Sequence, residues 1–112
     1  MNNLQKQIRK KFFQTLEDLK TKDSFEIFLR DFFSEKELDA FTNRLATAYW
    51  LKKGRSFENI KTNLKVSSTE IKTVKEKINS KGYKLAIKLM EAEEWANVWS
   101  EKIKKLGTSA RN

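Results

Sequence analysis

An all-α protein of one domain is the fold class this sequence predicts, on three observations. Proline is absent and glycine occurs only three times in 112 residues, so little in the chain breaks a helix. Lys, Glu, Leu, Ile and Phe dominate the composition, a helix-favouring set. Apolar residues recur at steps of three and four, the spacing that puts them on one helical face. A domain of this length buries only a modest core, which a partner chain would enlarge.

The first helix is predicted from Asn3 to Lys20, with Leu4, Ile8, Phe12, Leu16 and Leu19 as its stripe and Phe13 beside it. Asp23 and Ser24 are expected to open a second, short helix whose Phe25, Phe28, Leu29 and Phe32 share a face. Ser34-Glu-Lys-Glu37 has the form of a capping box, so a third helix starts near Glu35. Leu38, Phe41, Leu45, Ala48 and Tyr49 are its expected lining, and Gly54 its expected end.

Residues 56–78, SFENIKTNLKVSSTEIKTVKEKI, read as two short helices and not one. Ser56 suits an N-cap, and Phe57, Ile60 and Leu64 keep helical step. Val66 then falls out of step, and Ser67-Ser-Thr-Glu70 is a second capping box only three residues after Leu64. Ile71, Val74 and Ile78 continue as the buried face of the new helix, Ser68 to Asn79. This is the apolar pattern of a helix-turn-helix, with Val66 plugging the turn. Lys65 stands where a turn glycine is usual, and Lys61 where a small residue is. A generic helical hairpin would share the same apolar positions.

The last helix is predicted after Gly82, roughly Tyr83 to Leu106. Leu85, Leu89, Ala92, Ala96, Trp99, Ile103 and Leu106 form a seam over about three heptads. Ile87, Met90, Trp95 and Val98 lie off it, so more than one face is apolar. Burial against a second copy of the chain, with the aromatic N-terminal helices contributing, is the economical reading; a larger monomeric core is the alternative. The organisation expected is a helical dimerisation arm over 1–33, a helix plus helix-turn-helix over 34–81, a dimerisation helix over 82–106 and a flexible tail over 107–112.

Composition narrows the chemistry. Without Cys there is no disulfide framework or thiolate, and without His no imidazole base or His-ligated metal. No carboxylate pair stands out, so no catalytic residue, metal ligand or cofactor is assigned and an enzyme is not expected. No window approaches the roughly 18 uncharged apolar residues of a membrane span, and the N-terminus lacks the apolar core of a signal peptide. A cytoplasmic protein is expected.

The net charge of +9 is uneven: residues 1–22 carry +4, 23–50 carry −3, 51–88 carry +8 and 89–112 balance. A basic block attracts polyanions, nucleic acid first, although a solvated lysine-rich surface has the same composition. With Ile71, Val74 and Ile78 inward, Thr69, Lys72, Thr73 and Glu76 lie on the opposite face, as side chains that read bases in a major groove do. Ser56, Ser67 and Ser68, with the free N–H groups of a helix start, suit phosphate. So do the surrounding Lys52, Lys53, Arg55, Lys61, Lys65, Lys75 and Lys77.

The stretches FFSEKELDAFTNRLATAYWLKKG, SFENIKTNLKVSSTEI and GYKLAIKL, in this order and spacing over about half of the chain, resemble the Trp repressor family. The likeness is closer still to its bacterial YerC/YecD-type relatives. The resemblance implies an all-helical, intertwined homodimer with one helix-turn-helix per subunit, binding a two-fold site in double-stranded DNA and repressing transcription. The family's effector pocket carries over only in part. Ser34 and Arg44 match two of its positions, whereas its second essential arginine falls on Thr73. Without that guanidinium to stack on an indole, tryptophan is a doubtful effector. Arg44 is alternatively a surface residue paired with Glu35 or Glu37. A helical protein–protein interaction module without specific DNA binding is the rival reading.

Overall fold

The computed structural model describes residues 2–94, all helices and turns. Five helices run α1 (Asn3–Leu19), α2 (Lys22–Phe32), α3 (Glu35–Lys52), α4 (Phe57–Leu64) and α5 (Ser68–Lys77). A sixth, α6, is helical over 81–94. The predictions for Trp95, Ala96, Val98, Trp99, Ile103, Leu106 and the tail lie outside the described residues. The chain divides into two compact units, Met1–Ala40 and Phe41–Asn112.

In the first unit, Asn2 starts α1 by accepting the Gln5 N–H at 2.8 Å, and Lys20 ends it in the left-handed region, φ 55°. The cap of α2 is Thr21, which accepts the Ser24 N–H at 3.1 Å, three residues before the predicted Ser24. Any short polar residue next to a helical run competes for this role, and the one whose backbone is extended takes it. Asp23 instead lies in the first turn, where its carboxylate suits the helix dipole. The two helices meet through Phe12 and Phe28, ring centroids 6.2 Å apart, and Phe28 stacks on Phe32 at 4.4 Å. No described residue of α1 or α2 is buried. Leu4, Ile8, Phe13, Ile27 and Phe32 all stay exposed.

The second unit holds the core. Ile60, Val66 and Ile71 form one buried cluster with Trp50, Leu51, Phe57 and Leu64 against it. Ala48, Val74 and Ile87 form another with Leu51, Ile78 and Tyr83. Leu51, near the end of α3, touches both and ties α4 and α5 to α3 and α6. Each fully buried aliphatic side chain contributes about 1.5–3 kcal/mol, and these two clusters are the core among the described residues.

Two predictions are corrected, on the lining of α3 and on the start of α6, and α6 shows which of its two apolar faces packs within the chain. Phe41 and Leu45, expected to line α3 inward, are exposed, while Thr47 beside Ala48 is buried. On α6 the buried residue is Ile87, 4% exposed, and the predicted seam residues Leu85 and Leu89 are 60% and 64% exposed. The periodicity admitted two faces, and packing on α3 and α5 selected the one with Ile87. Finally, α6 begins before Gly82, which sits in its first turn; the Ser80 carbonyl accepts the Lys84 N–H at 3.0 Å. Glycine weakens a helix interior but does not forbid it.

Candidate nucleic-acid interface

The corner between α4 and α5 is made by three local devices. Ser56 caps α4, its Oγ accepting the Asn59 N–H at 3.1 Å. Lys65 turns the chain at φ 55°, ψ 41°, the left-handed conformation that normally falls to glycine. Ser67 then caps α5 reciprocally: its Oγ accepts the Glu70 N–H at 3.1 Å and its own N–H donates to Glu70 Oε2 at 3.2 Å. Val66, buried under the turn, closes the corner onto Ile60 and Ile71. Two helices, a tight turn and an apolar plug make a helix-turn-helix.

On α5, Ile71 and Val74 are buried, Ile78 just beyond its end is half-buried, and Thr69, Lys72, Thr73 and Glu76 are all exposed. The expected outward face is therefore outward. The helix ends at Lys77, with Ile78 as its cap, two residues short of the predicted Asn79. Thr73 Oγ1 donates to the Thr69 carbonyl at 2.9 Å, so its proton is engaged within the helix, and its methyl and oxygen lone pairs remain for an outside group.

The helix start is more committed than expected. The cap occupies the Ser67 backbone N–H, and the Glu70 carboxylate already answers the helix dipole. The N–H groups of Ser68 and Thr69, in the first turn, have no acceptor within the helix ladder. They remain the donors an anion would meet there.

The predicted phosphate-facing cations divide by their surroundings. Lys52, Lys61, Lys65 and Lys77 are exposed on or beside α4 and α5. Lys53 is held by Glu94 at 3.2 Å and Glu91 at 3.6 Å across to α6. Glu94 also accepts from the Tyr49 hydroxyl, and Lys53 Nζ lies 5.3 Å from the centre of the Tyr49 ring. Its charge is thus locally compensated. Lys75 Nζ rests 5.3 Å from the Phe57 ring centre, between α5 and α4. Arg55 lies over the Trp50 ring at 3.9 Å and donates from Nη1 to Asn59 Oδ1 at 3.1 Å.

Sequence reasoning missed Tyr49, Trp50, Phe57, Asn59, Glu91 and Glu94 as partners of these cations. Asn59, four residues after Arg55, and Tyr49, four before Lys53, follow a spacing legible in a linear chain. The others meet their cations across a turn or between helices.

Ser34 and Arg44 are each engaged locally. The Ser34 N–H donates to Glu37 Oε1 at 2.9 Å, and its Oγ accepts the Glu37 N–H at 3.1 Å. Hydrogen bonding to the carboxylate by Ser34, from its backbone N–H first and its side chain second, holds the Glu37 carboxyl below its ordinary value, against an opposing effect of burial. Arg44 lies over the Phe41 ring at 5.2 Å. That contact with its own helix, and not the expected pairing with Glu35 or Glu37, is what the structure records for it.

Among the described residues no group of three or more acidic side chains is placed to hold a metal ion, and no described helix is long and apolar enough to cross a membrane. The arrangement offers a capped helix with an exposed polar face and a fringe of cations. A model of the family described as Trp repressor protein matches residues 7–93, over three quarters of the chain. No curated protein and no solved structure matches it.

Proposed function

The chain belongs to the Trp repressor protein family, and from that membership and the α4–α5 corner we propose that it is a homodimeric, sequence-specific binder of double-stranded DNA. It acts as a cytoplasmic transcriptional regulator, as a repressor of the YerC/YecD type. The helix α5 enters the major groove. Lys72 is suited to guanine O6/N7, Thr69 and Thr73 to a thymine methyl, and Glu76 to cytosine N4. Lys52, Arg55, Lys61, Lys65, Lys75 and Lys77, with the first-turn N–H groups of α5, meet the phosphates. The reading rests above all on one observation: Lys65 and Val66 turn α5 so that Thr69, Lys72, Thr73 and Glu76 are exposed while Ile71 and Val74 are buried.

A second copy of the chain is the proposed cover for the apolar surface of α1, α2 and α6. Two-fold symmetry then spaces the half-sites one helical turn apart, roughly 34 Å. Tryptophan is not assigned as the effector, because Thr73 stands where the family's second arginine is expected.

Selection of bound duplexes from a random pool tests the reading. Enrichment of an inverted repeat supports it; enrichment of nothing overturns sequence-specific binding. The exposed apolar side chains of α1 and α2 also favour a second reading, a helical module that binds another protein. Gel retardation of random duplex at two salt concentrations separates them. Retardation lost at high salt favours DNA, and none at low salt favours the protein partner.

A further inference from the structure

The end of α3 orders one cation, Arg55, on an aromatic ring and an amide and not on the carboxylates that hold Lys53. Gly54 takes φ 85° just beyond the helix, a conformation open to glycine at little cost. The Arg55 N–H then folds back onto the Trp50 carbonyl at 3.0 Å, and the Gly54 N–H onto that of Leu51 at 3.1 Å. This pair of bonds is the Schellman closure, and it fixes the Arg55 backbone over the last turn of α3.

The side chain is fixed as well. Its guanidinium carbon lies 3.9 Å from the centre of the Trp50 ring, a cation–π distance, and Nη1 donates to Asn59 Oδ1 at 3.1 Å. Asn59 is itself anchored at both backbone ends: its N–H goes to Ser56 Oγ at 3.1 Å, and its carbonyl accepts from Asn63 Nδ2 at 2.8 Å. Trp50 is half-buried against the Ile60, Val66 and Ile71 cluster, so the ring beneath the guanidinium is part of the core. Arg55 itself is exposed. One donor is used on Asn59, and most of the five-donor fork stays available.

We infer that Trp50 and Asn59 are positioning residues that hold Arg55 as a pre-ordered fork for one backbone phosphate of the bound duplex. This rests on the DNA-binding reading above. A free arginine loses rotamer freedom when it grips a phosphate; one already stacked and tethered loses less, so its contact is stronger and directional. Lysine at the same place would keep the charge but neither the planar stack nor the fork. The exposed Lys52, Lys61, Lys65 and Lys77 act as solvated charges, whereas Arg55 acts at a single address.

The test measures affinity for a selected duplex, as a salt series, with single phosphates replaced in turn by neutral methylphosphonate. Wild-type protein, Arg55→Lys, Arg55→Ala and Asn59→Ala are compared, each checked for native helicity. At one phosphate the replacement weakens the wild type, and Arg55→Ala and Arg55→Lys no longer respond to it. Arg55→Ala lowers the salt slope by about 0.9. Asn59→Ala keeps that slope yet weakens binding roughly two- to fivefold, the scale of one exposed ordering contact. The proposal is overturned if Arg55→Lys binds like wild type and keeps its response, or if Asn59→Ala changes nothing. A wild-type protein that retains no duplex overturns the DNA-binding reading and this proposal together. One that binds duplex but shows no phosphate coupled to Arg55 overturns this proposal alone.

Discussion

Lys65 is in a conformation its side chain disfavours. At φ 55° its Cβ crowds the backbone, a cost of about 1–2 kcal/mol for an L-residue, and the corner persists because Val66 and the Ser67 cap that follow it gain from it. Lys65→Gly removes the crowding but frees the unfolded chain by about 0.4–1 kcal/mol. A net gain of between zero and about 1.6 kcal/mol is expected, read as a raised midpoint in thermal unfolding. Lys65→Val, β-branched, is expected to lower the midpoint; an unchanged midpoint in both would mean the backbone there is not left-handed. Lys72 lies one helical turn from no buried residue and is exposed. Lys72→Ala is expected to leave stability unchanged and to cost roughly 1–3 kcal/mol in affinity for a selected site. Equal losses on selected and random duplex would place Lys72 on phosphate and move the base-reading register.

The helices show how far local rules reach. The capping box at Ser67-Ser-Thr-Glu70 was legible because cap chemistry needs only four consecutive residues, and both of its hydrogen bonds are formed. Ser67→Ala is expected to cost about 1 kcal/mol, measured by denaturant unfolding with an unchanged slope. The box at Ser34–Glu37 carries a pH signature. The folded pKa of Glu37 lies below its ordinary 4.5. Its contribution is therefore complete above that ordinary value and is lost as pH falls through the lowered one. Melting temperatures of wild type and Glu37→Gln should differ at neutral pH and converge in acid; a constant gap would remove the carboxylate from the box. The start of α2 was misplaced for a related reason: Thr21, Asp23 and Ser24 are all short polar residues, and composition does not rank them. Only the extended backbone at Thr21 does.

Among the described residues, exposed apolar surface is the property that asks most for a partner. Nothing in α1 or α2 is buried, and Leu85 and Leu89 on α6 are open although Ile87 is covered. If a second copy covers them, a Leu85→Lys, Leu89→Lys protein should sediment as a monomer. Each leucine removed forfeits about 1.5–3 kcal/mol, counted twice in a two-fold dimer. Affinity for an inverted repeat should fall with it. A doubly substituted protein that still sediments as a dimer would take α6 out of the interface.

Local sequence was enough to specify that the chain is helical, where most helices start and stop, and that a corner falls at Lys65. Those features depend on backbone geometry and on side chains within four residues, so they are written in consecutive letters. Packing alone settled which of two apolar faces of α6 is buried, that Phe41 and Leu45 face out, and that Lys53 and Arg55, two residues apart, have opposite situations. One is neutralised by Glu91 and Glu94, and the other is stacked on Trp50. Burial and charge pairing depend on groups that only the folded backbone brings within a few ångströms, and periodicity carries no record of that distance.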